Sequence, residues 1–261
     1  MYEIVRDLPS TAWVLDLGSA TGSFDSTRTL GRVVRVDLNY LPANHGLFVQ
    51  SDAAYLPFAD ATFDAVVANH SLEHFERLNL AIGEIARVAK PNGSLFISVP
   101  DASTLSDRLY RWLGKGGGHV NAFTDSLELS GRVVDTTRMP LKGTCVLYSG
   151  FSFLNKHNEK NLPKRVWVLG GGQEWILRVG TYCLRILDRL FSTRLSVYGW
   201  AYYFGSVDAL RLKPNGNVCI RCGSGHDAEW LKESGFLSRE LFFWKQYRCP
   251  CCGTKNLFQS M

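Results

Sequence analysis

Through its first hundred residues the chain alternates short apolar runs with stretches of helical spacing. Trp13–Asp16 and Val33–Asp37 read as buried strands, Leu47–Gln50 as a shorter third, and Phe63–Asn69 and Ser94–Val99 as two more. Between the last two, Leu78, Ile82, Ile85 and Val88 recur at helical spacing over Leu78–Ala89, and Lys90-Pro91-Asn92-Gly93 supplies a breaker and a turn. Strands alternating with helices predict βαβ units and a mostly parallel, doubly wound α/β sheet.

Beyond Pro100 the pattern loosens. Leu105–Leu113 is helix-like and runs into the glycine stretch 114–118, read as flexible. Thr144–Leu154 and Ser196–Phe204 are rich in β-branched and aromatic residues and read as late strands. Glu174–Phe191 is an amphipathic helix carrying Arg178, Arg185 and Arg189, with a solvated arginine face over a buried stripe as its ordinary reading. A lid, a homodimer face or a membrane-surface element over 174–191 is the functional alternative. A boundary falls near Leu212-Lys213-Pro214-Asn215-Gly216, giving a domain over 1–212, with substrate-covering insertions within 101–196, and a small segment over 213–261.

Composition narrows this picture without changing it. Apolar residues make up 46% and charged residues 20%, ordinary for a globular chain that can bury a sizeable core. A net charge of +5 is too small for a dedicated nucleic-acid wrapper. The start shows no basic leader before an apolar run, and Val166–Phe191 is interrupted by Gly170–Gly172, Glu174, Arg178, Arg185 and Asp188. No secretory signal or transmembrane helix is read, and the cytoplasm is the expected address.

The chemistry begins at Val14-Leu15-Asp16-Leu17-Gly18-Ser19-Ala20-Thr21-Gly22, a strand entering a glycine-containing turn where a ligand can approach the backbone. A dinucleotide site wants glycines in a G-x-G-x-x-G arrangement, but Ala20 and Ser23 stand at the third and sixth positions counted from Gly18. Asp16 would moreover repel a pyrophosphate. It suits S-adenosylmethionine, which carries a sulfonium and an ammonium group and no phosphate. Asp37 closes the second strand, where an acid can accept both ribose hydroxyls, and Leu38 can lie on the adenine face. Asp52, after the third strand, is placed to receive the adenine amino group. Each aspartate taken alone reads equally as a cap or a turn. Together they mark the carboxyl ends of successive strands, where open α/β sheets bind ligands.

The order VLDLGSATGSF, VVRVDLN, SDAAYLPFADATFDAVVANHSLEHF and RVAKPNGSLFISVP resembles class I methyltransferases, and among them the broad type 11 group that includes quinone-biosynthesis enzymes. The likeness covers roughly residues 12–100 and weakens towards 210. It implies a Rossmann-like, seven-stranded sheet whose last strand is antiparallel. By position it also implies that Asp16, Gly18, Ser19, Ala20 and Gly22 contact the methionine end and that Asp37 and Leu38 hold ribose and adenine. Asp52 and Ala53 would meet the adenine edge, and Asn69 the methionine amino group through its backbone. Ala20 departs from the family's usual glycine.

Methyl transfer is a direct displacement, so the protein must align nucleophile, methyl and sulfur, and remove a proton from a hydroxyl or neutral amine acceptor. His70, His74 and Asp101 follow the fourth and fifth strands, and His119 lies in a segment resembling the substrate-covering region of related enzymes. His119, His70 and His74 are the expected catalytic groups. Structural roles stand beside them: His74 paired with Glu73, His70 shaping the pocket.

Cys219-Ile220-Arg221-Cys222-Gly223 and Cys249-Pro250-Cys251-Cys252-Gly253 are two C-x-x-C-G knuckles among seven cysteines. Two thiolates on each tight turn complete a tetrahedral structural zinc site from Cys219, Cys222, Cys249 and Cys252, and the segment resembles a zinc ribbon. Cys251 breaks the spacing and is left out. Phe242–Arg248 interleaves aromatic and basic residues, as nucleic-acid surfaces and half-buried strands both do. The expected function is methylation of an O or N atom of a small-molecule, lipid or glycan-type acceptor. The alternatives are an RNA or protein methyltransferase that grips its substrate with the ribbon, and a cofactor-binding, zinc-ribbon interaction protein that does not methylate.

Overall fold

The computed structural model describes residues 1–40, 46–113, 118–161, 172–209, 212, 215–239 and 245–260, with the side chains of 159–161 and 239 excepted. The glycine stretch 114–117, the boundary at 213–214 and the aromatic residues 242–244 lie outside these. In chain order the strands and helices are β1 (Trp13–Leu17), β2 (Arg32–Asp37), β3 (Leu47–Gln50), β4 (Phe63–Asn69), α1 (Leu78–Val88), β5 (Ala89–Pro100), α2 (Leu105–Leu113), α3 (Ser126–Thr137), β6 (Leu141–Tyr148), α4 (Glu174–Phe191) and β7 (Val197–Gly205). The C-terminal segment adds β8 (Asn217–Val218), β9 (Gly225–His226), α5 (Ala228–Glu233), β10 (Leu237–Arg239), β11 (Lys245–Arg248) and β12 (Lys255–Leu257).

The first seven strands form one sheet in the order β3-β2-β1-β4-β5-β7-β6, mostly parallel with one antiparallel strand, in the Rossmann-like methyltransferase arrangement. Parallel pairing runs from β3 through β2, β1 and β4 to β5. The chain groups into two compact units. One holds Met1–Asp101, Gly118–Cys145 and Trp200–Leu212; the other holds Ala102–Gly117, Val146–Gly199 and Lys213–Met261. The cysteine-bearing segment thus shares its unit with α2 and α4, a grouping that the boundary read near 212 does not anticipate.

In the first unit the core packs Leu15, Leu17, Val34, Val36 and Val66 of the central strands against Ile82, Ile85 and Val88 of α1 and Leu129 and Val133 of α3. On the opposite face Val14, Ala65 and Val67 are buried and apolar as well, as a sheet covered on both sides requires. The alternation of strand and helix fails in one respect. Among the described residues, no α-helix lies between β1 and β2, β2 and β3, or β3 and β4. The β3–β4 connection is instead pinned to α1 by one guanidinium. Arg87 Nη1 donates to Phe58 O (2.7 Å) and Asp60 Oδ1 (2.8 Å), Nη2 to Leu56 O (3.0 Å), and Nε to Glu84 Oε1 (2.7 Å). A planar fork can satisfy several loop carbonyls at once, which substitutes for a helix's internal hydrogen bonds.

Two boundaries shift for local reasons. The late strand read at Thr144–Leu154 is β6, which begins just after Pro140 and ends before Phe151, a residue with φ +48° that turns the chain into a short 3₁₀ turn at Ser152–Leu154. Lys90–Gly93 ends α1 as expected but continues directly into β5, with an irregularity in register opposite Phe63–Ala65.

In the second unit Cys219 and Cys249 each open a knuckle. Gly223 N donates to Cys219 O (3.0 Å) and Gly253 N to Cys249 O (2.8 Å), and both glycines adopt positive φ, +75° and +72°. The antiparallel sheet β10-β11-β12 packs Tyr247 with Ala228, Leu231 and Phe258. Helix α4 is anchored to this segment: Arg221 Nε donates to Glu174 Oε1 (2.7 Å), Gln259 Nε2 to Tyr182 O (3.2 Å) and Arg189 Nη2 to Ser260 O (3.0 Å). Arg185 corrects the picture of a solvated arginine face. It is buried, its guanidinium lies 5.0 Å from the Tyr148 ring centroid, and desolvation pulls its pKa down to about 10.

Candidate functional site

At the carboxyl ends of β1, β2 and β4 lies a cavity of about 380 Å³, within the size range of small-molecule sites. Its wall is built from Leu17 at the end of β1 with Gly18 and Ala20 on the turn that follows, Val36–Asn39 at the end of β2 and just beyond, Ser51–Ala53 after β3, and His70, Ser71, His74 and Phe75 after β4. Of the residues expected to meet a cofactor, Gly18, Ala20, Asp37, Leu38, Asp52 and Ala53 stand on this wall. Asp16, Ser19, Gly22 and Asn69 do not. Among the expected catalytic histidines, His70 and His74 are on the wall, and the His119 ring centroid lies 5.0 Å from that of His74. Asp101 is fully buried and off the wall. Asn39, Ser51, Ser71 and Phe75 complete the site without having been legible as ligand contacts. Only their place directly after strand ends could have signalled them.

The turn after β1 is held by the neighbouring strand, since Gly18 N and Ser19 N both donate to Val36 O at 2.8 and 3.0 Å. Gly18 has φ +65°, and a Cβ added there would stand 2.4 Å from Ser71 Cβ. Only glycine lets the turn close against β4's exit. Ala20 also adopts positive φ, +45°, with its amide donating to Asp37 Oδ2 at 2.8 Å. A left-handed alanine costs about 1–2 kcal/mol, partly offset because glycine has more unfolded freedom to lose. Ala20→Gly is therefore expected to stabilise the protein by about 0.5–1 kcal/mol, roughly 2–4 °C in Tm per kcal/mol. A lower Tm in thermal unfolding would contradict this assignment of strain.

The charges around the turn are a buried acid and an arginine beside it. Asp16 is fully buried; its Oδ2 accepts from Ser23 N at 3.0 Å and lies 3.7 Å from Arg35 Nε, while Oδ1 has no hydrogen-bond partner among the described residues. Burial pushes its carboxyl pKa up, against the opposing pull of Ser23 and Arg35. Ser19 Oγ and Ser71 Oγ are likewise buried without hydrogen-bond partners among the described residues. Such orphaned polar atoms are costly, and a polar, positively charged ligand end would satisfy them. The short 3₁₀ turn at Ser26–Arg28 replaces the helix that a pyrophosphate site would aim at its anion. Asp37 Oδ1 accepts from Asn39 N (3.0 Å), and Asp52 Oδ1 from Ala54 N (2.9 Å), so both acids are fixed by their own turns while facing the cavity.

Beyond β4 the backbone is strained. His70 has φ +51° and its amide donates to Ser98 O at 3.0 Å, while Ser98 Oγ donates to Asn69 Oδ1 at 2.8 Å. Burial, then the neighbouring His119 and His74, hold the His70 imidazole down at about 4, so it is neutral at pH 7. Glu73, behind these rings, is only 1% exposed.

In the other unit the four knuckle cysteines converge. Their sulfurs all lie within 4.8 Å of one another, with Cys219–Cys252 at 3.5 Å and Cys222–Cys249 at 3.6 Å. A tetrahedron with metal–sulfur bonds of 2.3 Å has edges of about 3.8 Å. Arg221 N and Asn256 Nδ2 point at Cys219 Sγ, at 3.4 and 3.7 Å, as donors towards a thiolate do. Cys251 is exposed and outside this set.

Residues 15–97 match the methyltransferase domain family model. The chain is 32% identical over 130 residues to a malonyl-[acyl-carrier protein] O-methyltransferase of Methylococcus capsulatus, an alignment covering 44% of this chain and 47% of that protein. It is 30% identical over 175 residues to a ubiquinone/menaquinone biosynthesis C-methyltransferase of Haemophilus ducreyi, covering 56% and 66%. The chain thus spans about half the length of the first of these relatives. Among solved structures, a SAM dependent methyltransferase from Archaeoglobus fulgidus superposes with a TM-score of 0.52 at 18% identity, covering 77% of this chain and 87% of that one. That likeness concerns the fold.

Proposed function

We propose that this chain, which carries a class I methyltransferase domain, transfers a methyl group from S-adenosylmethionine to an O or N atom of a small-molecule, lipid or glycan-type acceptor. The observation that carries the reading is the set of carboxylates at successive strand ends around one cavity: Asp16 buried with an open oxygen behind the turn, Asp37 and Asp52 on the wall. The cofactor supplies an electrophilic methyl on a sulfonium. Asp16, Gly18, Ser19, Ala20, Gly22 and the Asn69 backbone would hold its methionine end. Asp37 would take the ribose, and Leu38, Asp52 and Ala53 the adenine. His70, His74 and His119 would orient the acceptor or take its proton. Relatives named for O- and C-methylation support a small acceptor without choosing the atom.

Cys219, Cys222, Cys249 and Cys252 would hold a structural zinc ion, since four thiolates leave no open position for catalysis. The exposed Trp175, Leu190 and Phe191 of α4 favour a surface contact through 174–191, a homodimer or a membrane surface. Among the described residues no helix is long and apolar enough to cross a membrane; a cytoplasmic address belongs to this proposal. Grip on RNA or protein by the ribbon, or cofactor binding without transfer, are the competing readings.

Incubation with methyl-labelled S-adenosylmethionine and fractionated cell extract tests them. Label is expected in a small-molecule, lipid or glycan fraction. His119→Ala should lower that turnover about 10²-fold or more at saturating cofactor with cofactor affinity retained. Label in RNA or protein would promote the ribbon-gripping alternative, and cofactor binding with no label in any fraction would overturn transfer.

A further inference from the structure

The packed face of α4 carries a charge that its surroundings only partly answer. Arg178, Thr181 and Arg185 recur at helical spacing, so they share one side of the helix. All three line a small cavity within the second unit, whose other walls include Ile220, Asn256 and Gln259. Arg185 is 7% exposed, and the Tyr148 ring covers one face of its guanidinium. The edge of the guanidinium is left open. Nε and Nη2 are both buried and have no hydrogen-bond partner among the described residues, and neither has Thr181 Oγ1 one turn earlier. Asp188, whose charge reaches Arg185, is committed elsewhere: its oxygens accept from Thr193 Oγ1, Leu195 N, Ser196 N and Ser196 Oγ at 2.6–2.7 Å. Among the described residues no acidic side chain lines the cavity. Burial pulls the Arg185 pKa down only to about 10, so the group stays charged at pH 7.

We propose that this cavity is a phosphate-binding site, with the Nε–Nη2 edge of Arg185 as its fork and Thr181 Oγ1 and Arg178 at its sides. Two parallel N–H donors on one planar edge match two oxygens on a single central atom. A water molecule accepts from both donors but brings no charge, and a buried cation without a counter-charge is costly. The Tyr148 ring offsets part of that cost, yet it accepts neither in-plane N–H. Two guanidinium groups with no acid beside them favour a dianion, which points to phosphate over carboxylate. The space, about 10 Å³, holds one water-sized group. A phosphate therefore enters by its oxygens and keeps its remaining corner outside, past the half-buried Arg178 and Tyr182, so a monoester fits as well as the free ion.

The walls are preformed. Asn256 Oδ1 accepts from Ile220 N (2.9 Å), Gln259 N donates to Asn217 Oδ1 (2.9 Å), and Gln259 Nε2 donates to Tyr182 O (3.2 Å). Little ordering is left for a ligand to impose. The site lies in one unit and stands whether or not the other unit transfers methyl groups.

Calorimetric titration of the full chain with inorganic phosphate, at neutral pH and an ionic strength fixed with chloride, tests the site. One saturable phosphate per chain is expected, with a Kd of about 1 mM or tighter from two or three charge-assisted hydrogen bonds. Arg185→Lys keeps the charge and loses the fork, and should weaken binding about 10-fold or more. If Arg185→Lys fails to fold, the half-buried Arg178→Gln decides in its place, with the same direction expected. Arg132→Gln, on α3 of the other unit, should leave affinity unchanged. Glycerol 3-phosphate and phosphatidylcholine vesicles containing phosphatidic acid are titrated in parallel. The probe that binds most tightly and loses most in Arg185→Lys names the source of the phosphate, as free ion, soluble ester or lipid headgroup. No saturable binding, binding that folded Arg185→Lys leaves unchanged, or an equal loss in Arg132→Gln overturns the site.

Discussion

Replacing Cys219 or Cys249 by serine is expected to abolish zinc binding and the ordered fold of residues 215–239 and 245–260. The sulfur spacings of 3.5 and 3.6 Å already sit near the edges of a zinc tetrahedron. Among the described residues the apolar cluster that would hold this segment without metal is small: Ala228, Leu231, Tyr247 and Phe258, with Phe236 and Leu237 packed against them. Too little surface is buried there to offset the entropy of ordering the chain. Structural zinc in such a setting contributes about 10–16 kcal/mol, more than that cluster supplies. Metal content should therefore fall from one zinc per chain to near zero in Cys219→Ser. The segment should also become sensitive to limited proteolysis, as it should after chelation. Cys251→Ser is the control, since Cys251 is exposed and outside the cluster. Full zinc retention in Cys249→Ser, or zinc loss in Cys251→Ser, would show that the ligand set is wrong.

The two sites were legible to different degrees, and the difference is physical. A Cys₄ site is encoded in sequence spacing because each knuckle is a local turn, closed by its own glycine amide. The parallel strands were readable because burial on both faces makes them continuously apolar. What the sequence hid was the thinness of the helical layer. The connections before β4 carry turn formers and a few apolar residues, and Arg87 and Glu84, distant in sequence, show how 56–60 are held without a helix. Helix α3 was missed although Asp125 caps it through Leu127 N (2.8 Å) and Glu128 N (3.4 Å). The Asp125…Glu128 spacing is itself a helix-start signal. Arg185 was misplaced because an arginine's preference for water is a population statement, and the half-buried ring of Tyr148 overrides it here. The approach of His119 to His74 could not be read, because the proximity of 118–121 to 72–75 is a tertiary fact made by backbone hydrogen bonds from Val120 N and Asn121 N to Glu73 O.

The other large effect is expected at Gly18. Two independent costs meet there. An alanine would have to hold φ +65°, a left-handed conformation worth about 1–2 kcal/mol against it. Its Cβ would also sit 2.4 Å from Ser71 Cβ, an overlap that backbone must move to relieve, at about 1–3 kcal/mol. The movement separates the turn after β1 from the exit of β4, and both carry residues of the cavity wall. If the strain is carried by the cofactor-binding conformation, S-adenosylhomocysteine affinity should fall by about 30- to 4000-fold at about 1.4 kcal/mol per decade. If the fold itself absorbs it, Tm should drop instead by several degrees. Titration calorimetry and thermal unfolding on the same preparation separate the two. Gly83→Ala provides the contrast: it lies in α1 with open space around its would-be Cβ, so it should raise stability by up to about 1 kcal/mol and leave cofactor affinity unchanged. A Gly18→Ala protein with unaltered Tm and affinity within threefold would mean that the turn does not close on Ser71, and that the cavity is not shaped by the glycine that opens the chain's most informative motif.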